Sequence, residues 1–187
     1  MAEYPQNSRA DLEIGKPAAQ DRAGSTQQNG EASQYPPKIG PWYPPSWARR
    51  PPGMPWDDWV PWQPWMQGPG QAWPEYAYNV RLYVGDPETP ARNAADLEMW
   101  KELTAKRVDA VARRDGRYTI FEARRNSGWS AIAQLLGYRA LWTLNYPDLP
   151  IEALWLITIT ADTALRMLAH QNAITLWTPT DKTAAPL

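Results

Sequence analysis

The sequence predicts an α/β domain, a mixed β-sheet flanked by helices, behind a long extended N-terminal arm. Three observations predict it. Residues 1–75 hold 14 of the 20 prolines and 7 of the 12 tryptophans, and the polar stretch before residue 40 has no hydrophobic period. Beyond Glu75 apolar residues recur in alternating strand and helix periods. Asp115-Gly116 then joins two such strand patterns, a strong two-residue hairpin signal. The expected organisation is an arm over 1–75 and a compact domain over 76–187.

The elements follow in order. AYNVRLYV (77–84) alternates Tyr78, Val80, Leu82 and Val84 on one face and reads as a strand. In GDPETP, Thr89 can cap a helix and Pro90 suits its first position. Leu97, Trp100 and Leu103 continue that helix to about Lys106. RVDAVARR and RYTIFEARR are the strands of the hairpin, and SGWSAIAQLLGYRALWTLN (127–145) is a long helix ending before Pro147. IEALWLITIT (151–160) is almost continuously apolar, as a strand buried on both faces should be. TADTALRMLAHQ gives a helix capped by Thr160 or Asp162, and AITLWTP a last short strand. Trp100, Trp129, Trp142 and Trp155 read as packing residues.

The arm contains PWDDWVPWQPW, with Trp56, Trp59, Trp62 and Trp65 at every third position. Pro61 and Pro64 argue against an α-helix, whereas three residues per turn is the period of polyproline II. The expectation is an extended ribbon with four indoles along one edge. That edge could fill the aromatic groove of a partner, stack unpaired bases, or cover the chain's own domain. Asp57 and Asp58 in its centre weigh against nucleic acid.

Composition excludes several function classes. The net charge is −1, so no overall basic field favours nucleic acid. There is no cysteine and only one histidine, His170, which leaves no disulfide, thiolate metal site or histidine-rich zinc centre. His170 is expected near a helix end, where the last carbonyls explain it. No segment reads as a membrane span or signal peptide.

Chemistry concentrates in the hairpin. With a two-residue turn, cross-strand partners sum to 231, setting Asp109 opposite Glu122 and Arg107 opposite Arg124. Arg107, Asp109, Val111, Ile120, Glu122 and Arg124 then share one face. Val108, Ala110, Ala112, Phe121 and Ala123 share the other, the expected core side. Facing carboxylates about 5 Å apart repel. Two neutralising arrangements are open: Mg²⁺ between them, or a four-charge ladder closed by Arg107 and Arg124. The basic pairs Arg49-Arg50, Arg113-Arg114 and Arg124-Arg125 read as solvated or ion-paired surface.

A helix, a hairpin with Asp109 on one strand and Glu122-Ala123-Arg124 on the next, then a helix and a buried strand resemble the PD-(D/E)xK nuclease superfamily. Gln134 and Tyr138 are similar to the Q-x-x-x-Y element of its exonuclease-like branch. The resemblance spans about residues 88–160. It implies a site of Asp109, Glu122 and Arg124, with Asp109 and Glu122 holding Mg²⁺ if the site is active and Gln134 and Tyr138 assisting DNA binding. Arg124 stands where the family has lysine, which implies a degenerate site. Glu98 or Glu102 could supply a further acidic ligand.

Two functions lead. One is a structural protein of a phage virion, at a head, neck or tail connection. It would lace onto neighbouring subunits or identical chains through Trp56, Trp59, Trp62 and Trp65, reside in the virion or the host cytoplasm during assembly, and need no cofactor. The other is a Mg²⁺-dependent DNA nuclease. A host-side adaptor with a polyproline ligand is a third reading.

Overall fold

A computed structural model describes residues 37–85 and 93–181. The expected arm before residue 37 and the Thr89-Pro90 helix start lie outside the described residues. Within them the order is β1 (Trp42–Tyr43), α1 (Trp56–Met66), β2 (Glu75–Leu82), α2 (Ala94–Thr104), β3 (Lys106–Arg114), β4 (Arg117–Asn126), α3 (Trp129–Asn145), β5 (Ile151–Thr160), α4 (Thr163–Gln171) and β6 (Ile174–Trp177). The six strands form one sheet in sequence order. The first four pair antiparallel, whereas β4–β5 and β5–β6 are parallel. This is a mixed-sheet α/β fold, as the strand and helix periods predict.

The hairpin turn forms as expected, with Asp115 at φ 51° and Gly116 at φ 75°. Asp162 is the cap of α4, its side chain accepting from Leu165 N–H at 2.7 Å. Asn93 caps α2 by accepting from Asp96 N–H. Trp142 and Trp155 are buried as expected, but Trp129 is 68% exposed and Trp100 only half-buried.

The largest correction concerns PWDDWVPWQPW, which is the helix α1 rather than a polyproline ribbon. On an α-helix every third residue is turned about 60° from the last, so four span about half the circumference. The structure follows that rotation: Trp56 is 64% exposed, Trp59 9%, and Trp62 and Trp65 are fully buried. Proline inside a helix costs about 3 kcal/mol. An indole burying about 150–250 Å² returns about 4–6 kcal/mol at 25 cal/mol per Å². Three buried indoles therefore outweigh two internal prolines.

Both sheet faces are covered. On one, α3 and α4 place Ile132, Leu135, Trp142 and Leu165 against Val111, Ile120, Leu154 and Leu156. On the other, Trp59, Trp62 and Trp65 of α1, with Trp73, pack over Phe121, Trp155 and Trp177. Ala110, Ala112 and Ala123 make room beneath those rings. Trp65 alone lies 5.0 Å from Trp155 and 5.3 Å from Trp177 between ring centres. Residues 37–75 thus supply an edge strand and one entire covering layer. The expected boundary at residue 75 therefore falls between residues that share one packed layer.

Candidate active site

The site forms where β3 leaves β4. Their ladder keeps the predicted register from Arg114–Arg117 to Ala110–Phe121 and goes no further. Beyond it Asp109 turns its own carboxylate to β4, accepting from Ala123 N–H at 2.8 Å. The strand on the other side is irregular at the same level. Tyr78 pairs with Ala110 and Val80 with Val108, while Asn79, between them, has φ 54°. Side-chain alternation breaks here: Val108 joins Val111 in the α3 layer, while Ala110 and Ala112 lie under α1. The expected grouping of Val108 with Ala110, on a single core face, is corrected by this irregularity and by the second covering layer.

Glu122 is completely buried. Its Oε1 accepts from Arg124 Nε at 2.7 Å, while Oε2 has no hydrogen-bond partner. Arg124 also donates through Nη2 to Gln134 Oε1 at 3.2 Å. Gln134 Nε2 lies 3.5 Å from Tyr138 Oη, and Tyr138 donates to the Arg107 carbonyl at 2.9 Å. Glu122, Arg124, Gln134 and Tyr138 therefore form one continuous polar chain from β4 to α3. Arg107 does not close the expected four-charge ladder; its guanidinium lies 3.5 Å from Asn79 Oδ1.

The electrostatics follow from burial. Removal from water, then the negative charge of Glu122, push the Asp109 carboxyl up to about 8, against the lowering pull of Ala123 N–H. Burial likewise raises Glu122, although Arg124 opposes it. A third acid, missed in the sequence, shares this field. Asp58 of α1 is 6% exposed, is raised by burial, and interacts electrostatically with Asp109, Glu122 and Arg124. The detectable signal was its spacing, because Asp58, Trp62 and Trp65 share one face of a helix.

Other expected residues lie elsewhere. Glu98 pairs with Lys101, and Glu102 binds Arg81 at 2.6 Å, so neither joins the site. Arg113, Arg114 and Arg125 are ion-paired with Glu75, Glu152 and Asp57. His170 lies exposed in the last turn of α4.

Among the described residues no three acidic or histidine side chains gather closely enough to enclose a metal. The Asp109–Glu122 pair nevertheless fits Mg²⁺, which commonly takes one or two carboxylates and keeps water in its remaining positions. An unpaired buried Glu122 oxygen beside the half-buried Asp109 carboxyl offers hard oxygen donors of the kind Mg²⁺ takes.

No family model and no curated protein match the chain. Among solved structures, the crystal structure of a repair endonuclease from Pyrococcus abyssi is similar over 54% of this chain and 38% of that one, at 16% identity and a TM-score of 0.34. This chain therefore spans well under half of that protein's length.

Proposed function

We propose that this protein is a Mg²⁺-dependent DNA nuclease of the PD-(D/E)xK type. The observation that carries the reading is the pair of buried Glu122 and half-buried Asp109, with one Glu122 oxygen unpaired and Arg124, Gln134 and Tyr138 arrayed beside it. Asp109 and Glu122 would hold the ion. When bound, Mg²⁺ polarises a phosphoryl oxygen and makes water a better nucleophile at neutral pH.

The remaining work falls to the chain. Hydrolysis adds the oxygen of water to phosphorus, breaks one P–O ester bond and delivers a proton to the leaving oxygen. Arg124 is held from two sides, by Glu122 and Gln134. It offers a fixed positive charge to the phosphoryl group in the transition state. It keeps its proton, so it stabilises charge where the family's lysine can also exchange one. Tyr138, anchored on the Arg107 carbonyl, holds Gln134 and through it Arg124.

The second reading is a non-catalytic assembly protein of a phage virion. What favours it is Arg124 itself, standing in place of lysine and closing on Glu122. The expected indole ribbon no longer supports it, since Trp59, Trp62 and Trp65 are buried in the chain's own fold. Among the described residues no helix is long and apolar enough to cross a membrane.

A supercoiled-plasmid assay with Mg²⁺ or Mn²⁺ separates the two. The nuclease reading expects nicked and linear DNA from the parent protein and none from Asp109→Ala. No cleavage by folded parent protein with either metal would leave the assembly reading.

A further inference from the structure

Two tryptophans remain at the surface when most of the aromatic residues are buried. Trp56 is 64% exposed and Trp129 68%. Each is the first residue of a helix, α1 and α3 respectively. An ion pair ties the start of α1 to one edge of the sheet, at the strand that leads into α3: Arg125 Nη1 lies 3.7 Å from Asp57 Oδ1. Asp57 follows Trp56 directly, and Arg125 stands on β4 just before the turn into Trp129. The edge is the C-terminal end of β4, the end that carries Glu122 and Arg124. Open α/β sheets bind ligands outside the carboxyl ends of their parallel strands, as β4 and β5 are.

Neither indole has a folding role that accounts for it. The rotation of α1 turns Trp56 away from the packed layer that holds Trp62 and Trp65. Trp129 precedes the buried stripe of α3, which begins at Ala131 and Ile132. Beyond Trp129 the same helix opens an apolar groove of about 560 Å³, with Ala133, Gly137 and Ala140 on its exposed side and Tyr138 and Lys106 at its margin. A Cβ at Gly137 would meet nothing within 4 Å.

We propose that Trp56 and Trp129 stack bases of an unpaired DNA strand, so that the substrate is single-stranded DNA or a frayed end rather than intact duplex. The proposal rests on the nuclease reading and specifies its substrate. A flat indole gains from a base only by covering its π-face, and in a duplex neighbouring bases already cover that face. The acids that weighed against nucleic acid in the sequence are occupied otherwise. Asp57 is bridged to Arg125, and Asp58 faces inward toward the carboxylate pair.

The test is fluorescence anisotropy of the full chain with labelled oligo(dT) and with the corresponding duplex. Ca²⁺ replaces Mg²⁺, so that binding is read apart from cleavage. The expected result is at least about tenfold preference for the single strand. Trp56→Ala and Trp129→Ala should each weaken that binding about 5- to 150-fold, the range for losing one base stack. Duplex binding and the thermal midpoint should not move, and Trp129→Phe should keep most of the affinity. Gly137→Phe, which the open surface admits, should weaken strand binding while leaving the fold intact. Equal affinity for both DNAs, or alanine variants that bind like the parent, would overturn the proposal. So would self-association abolished by Trp129→Ala with DNA binding unchanged, which would assign the indole to a second copy of the chain. Strand binding lost in both variants but no cleavage in Mg²⁺ would sustain the proposal and defeat the nuclease reading. Cleavage indifferent to both variants would do the reverse.

Discussion

The helices α1 and α3 cover opposite faces of one sheet and solve the same problem with different chemistry. The α3 helix is an ordinary amphipathic cover, with Ile132, Leu135 and Trp142 inward and no proline inside it. The α1 helix carries two internal prolines and holds its place through three indoles set over alanines and Phe121. Each also brings a polar group to the sheet edge where β3 and β4 part: Gln134 and Tyr138 from α3, Asp58 from α1. The difference teaches that Glu122 is buried, and Asp109 half-buried, because both covers exist. With only one, Glu122 and Asp109 would be ordinary wet acids on an open face.

The sharpest way to break the comparison is to remove an indole from α1. Trp62→Ala deletes a fully buried ring that makes edge contacts with Tyr76, Tyr78 and Phe121. A loss of about 3–5 kcal/mol is expected from the cavity and the lost transfer energy. Chemical denaturation measures it. A loss below about 1 kcal/mol would mean that α1 is not a structural layer.

The next effect tests burial of the acids through pH. A carboxyl whose pKa is raised on folding binds its proton more tightly in the folded state. Its stabilising contribution is full below the unfolded value near 4 and is lost as pH rises through the folded value. Asp109, pushed up to about 8, sets the window, and Glu122 and Asp58 shift in the same direction. Metal-free protein should therefore melt at a lower temperature at pH 8.5 than at pH 5.5. Asp109→Asn should flatten the slope and stabilise the protein at pH 8.5. Mg²⁺ at that pH should raise the melting temperature of the parent and not of the variant. A parent curve that rises from pH 5.5 to 8.5 would contradict the burial.

The same two helices show how much of the fold and site the sequence carried. Period-two alternation, Asp115-Gly116 and the long apolar runs yielded β2 to β6 and α3 nearly residue for residue, because local pattern and tertiary burial agree there. The hairpin register also set Asp109 beside Glu122, with Arg124 on the same face, whereas Gln134 and Tyr138 joined that neighbourhood only through the family resemblance. The α1 helix was illegible because local preference and tertiary burial conflict. Pro61 and Pro64 speak against a helix, and only an indole-sized deficit elsewhere overrides them. That deficit was written at Ala110, Ala112 and Ala123, side chains too small to fill a core layer by themselves. Asp58 was lost with α1, since an acid on a ribbon has no inward face. The break in alternation at Asp109 had no signal, because it depends on Asn79 in the neighbouring strand.

The smallest effect tests that conflict directly. Pro64→Ala restores an amide donor to α1 at a half-buried position and removes a residue disfavoured in helix interiors by about 3 kcal/mol. Two terms oppose the gain. The unfolded chain becomes more flexible, at about 0.4–1 kcal/mol, and part of the ring's buried surface is lost. A net stabilisation of about 1 kcal/mol is expected, read as a higher denaturation midpoint at unchanged slope. Were the segment a polyproline ribbon laid on the domain, the same substitution would remove a preorganised φ and destabilise it. The sign of the change, more than its size, decides between the two conformations. Trp56 should stay exposed in the variant, with unaltered quenching of its fluorescence, if α1 keeps its rotation over the sheet.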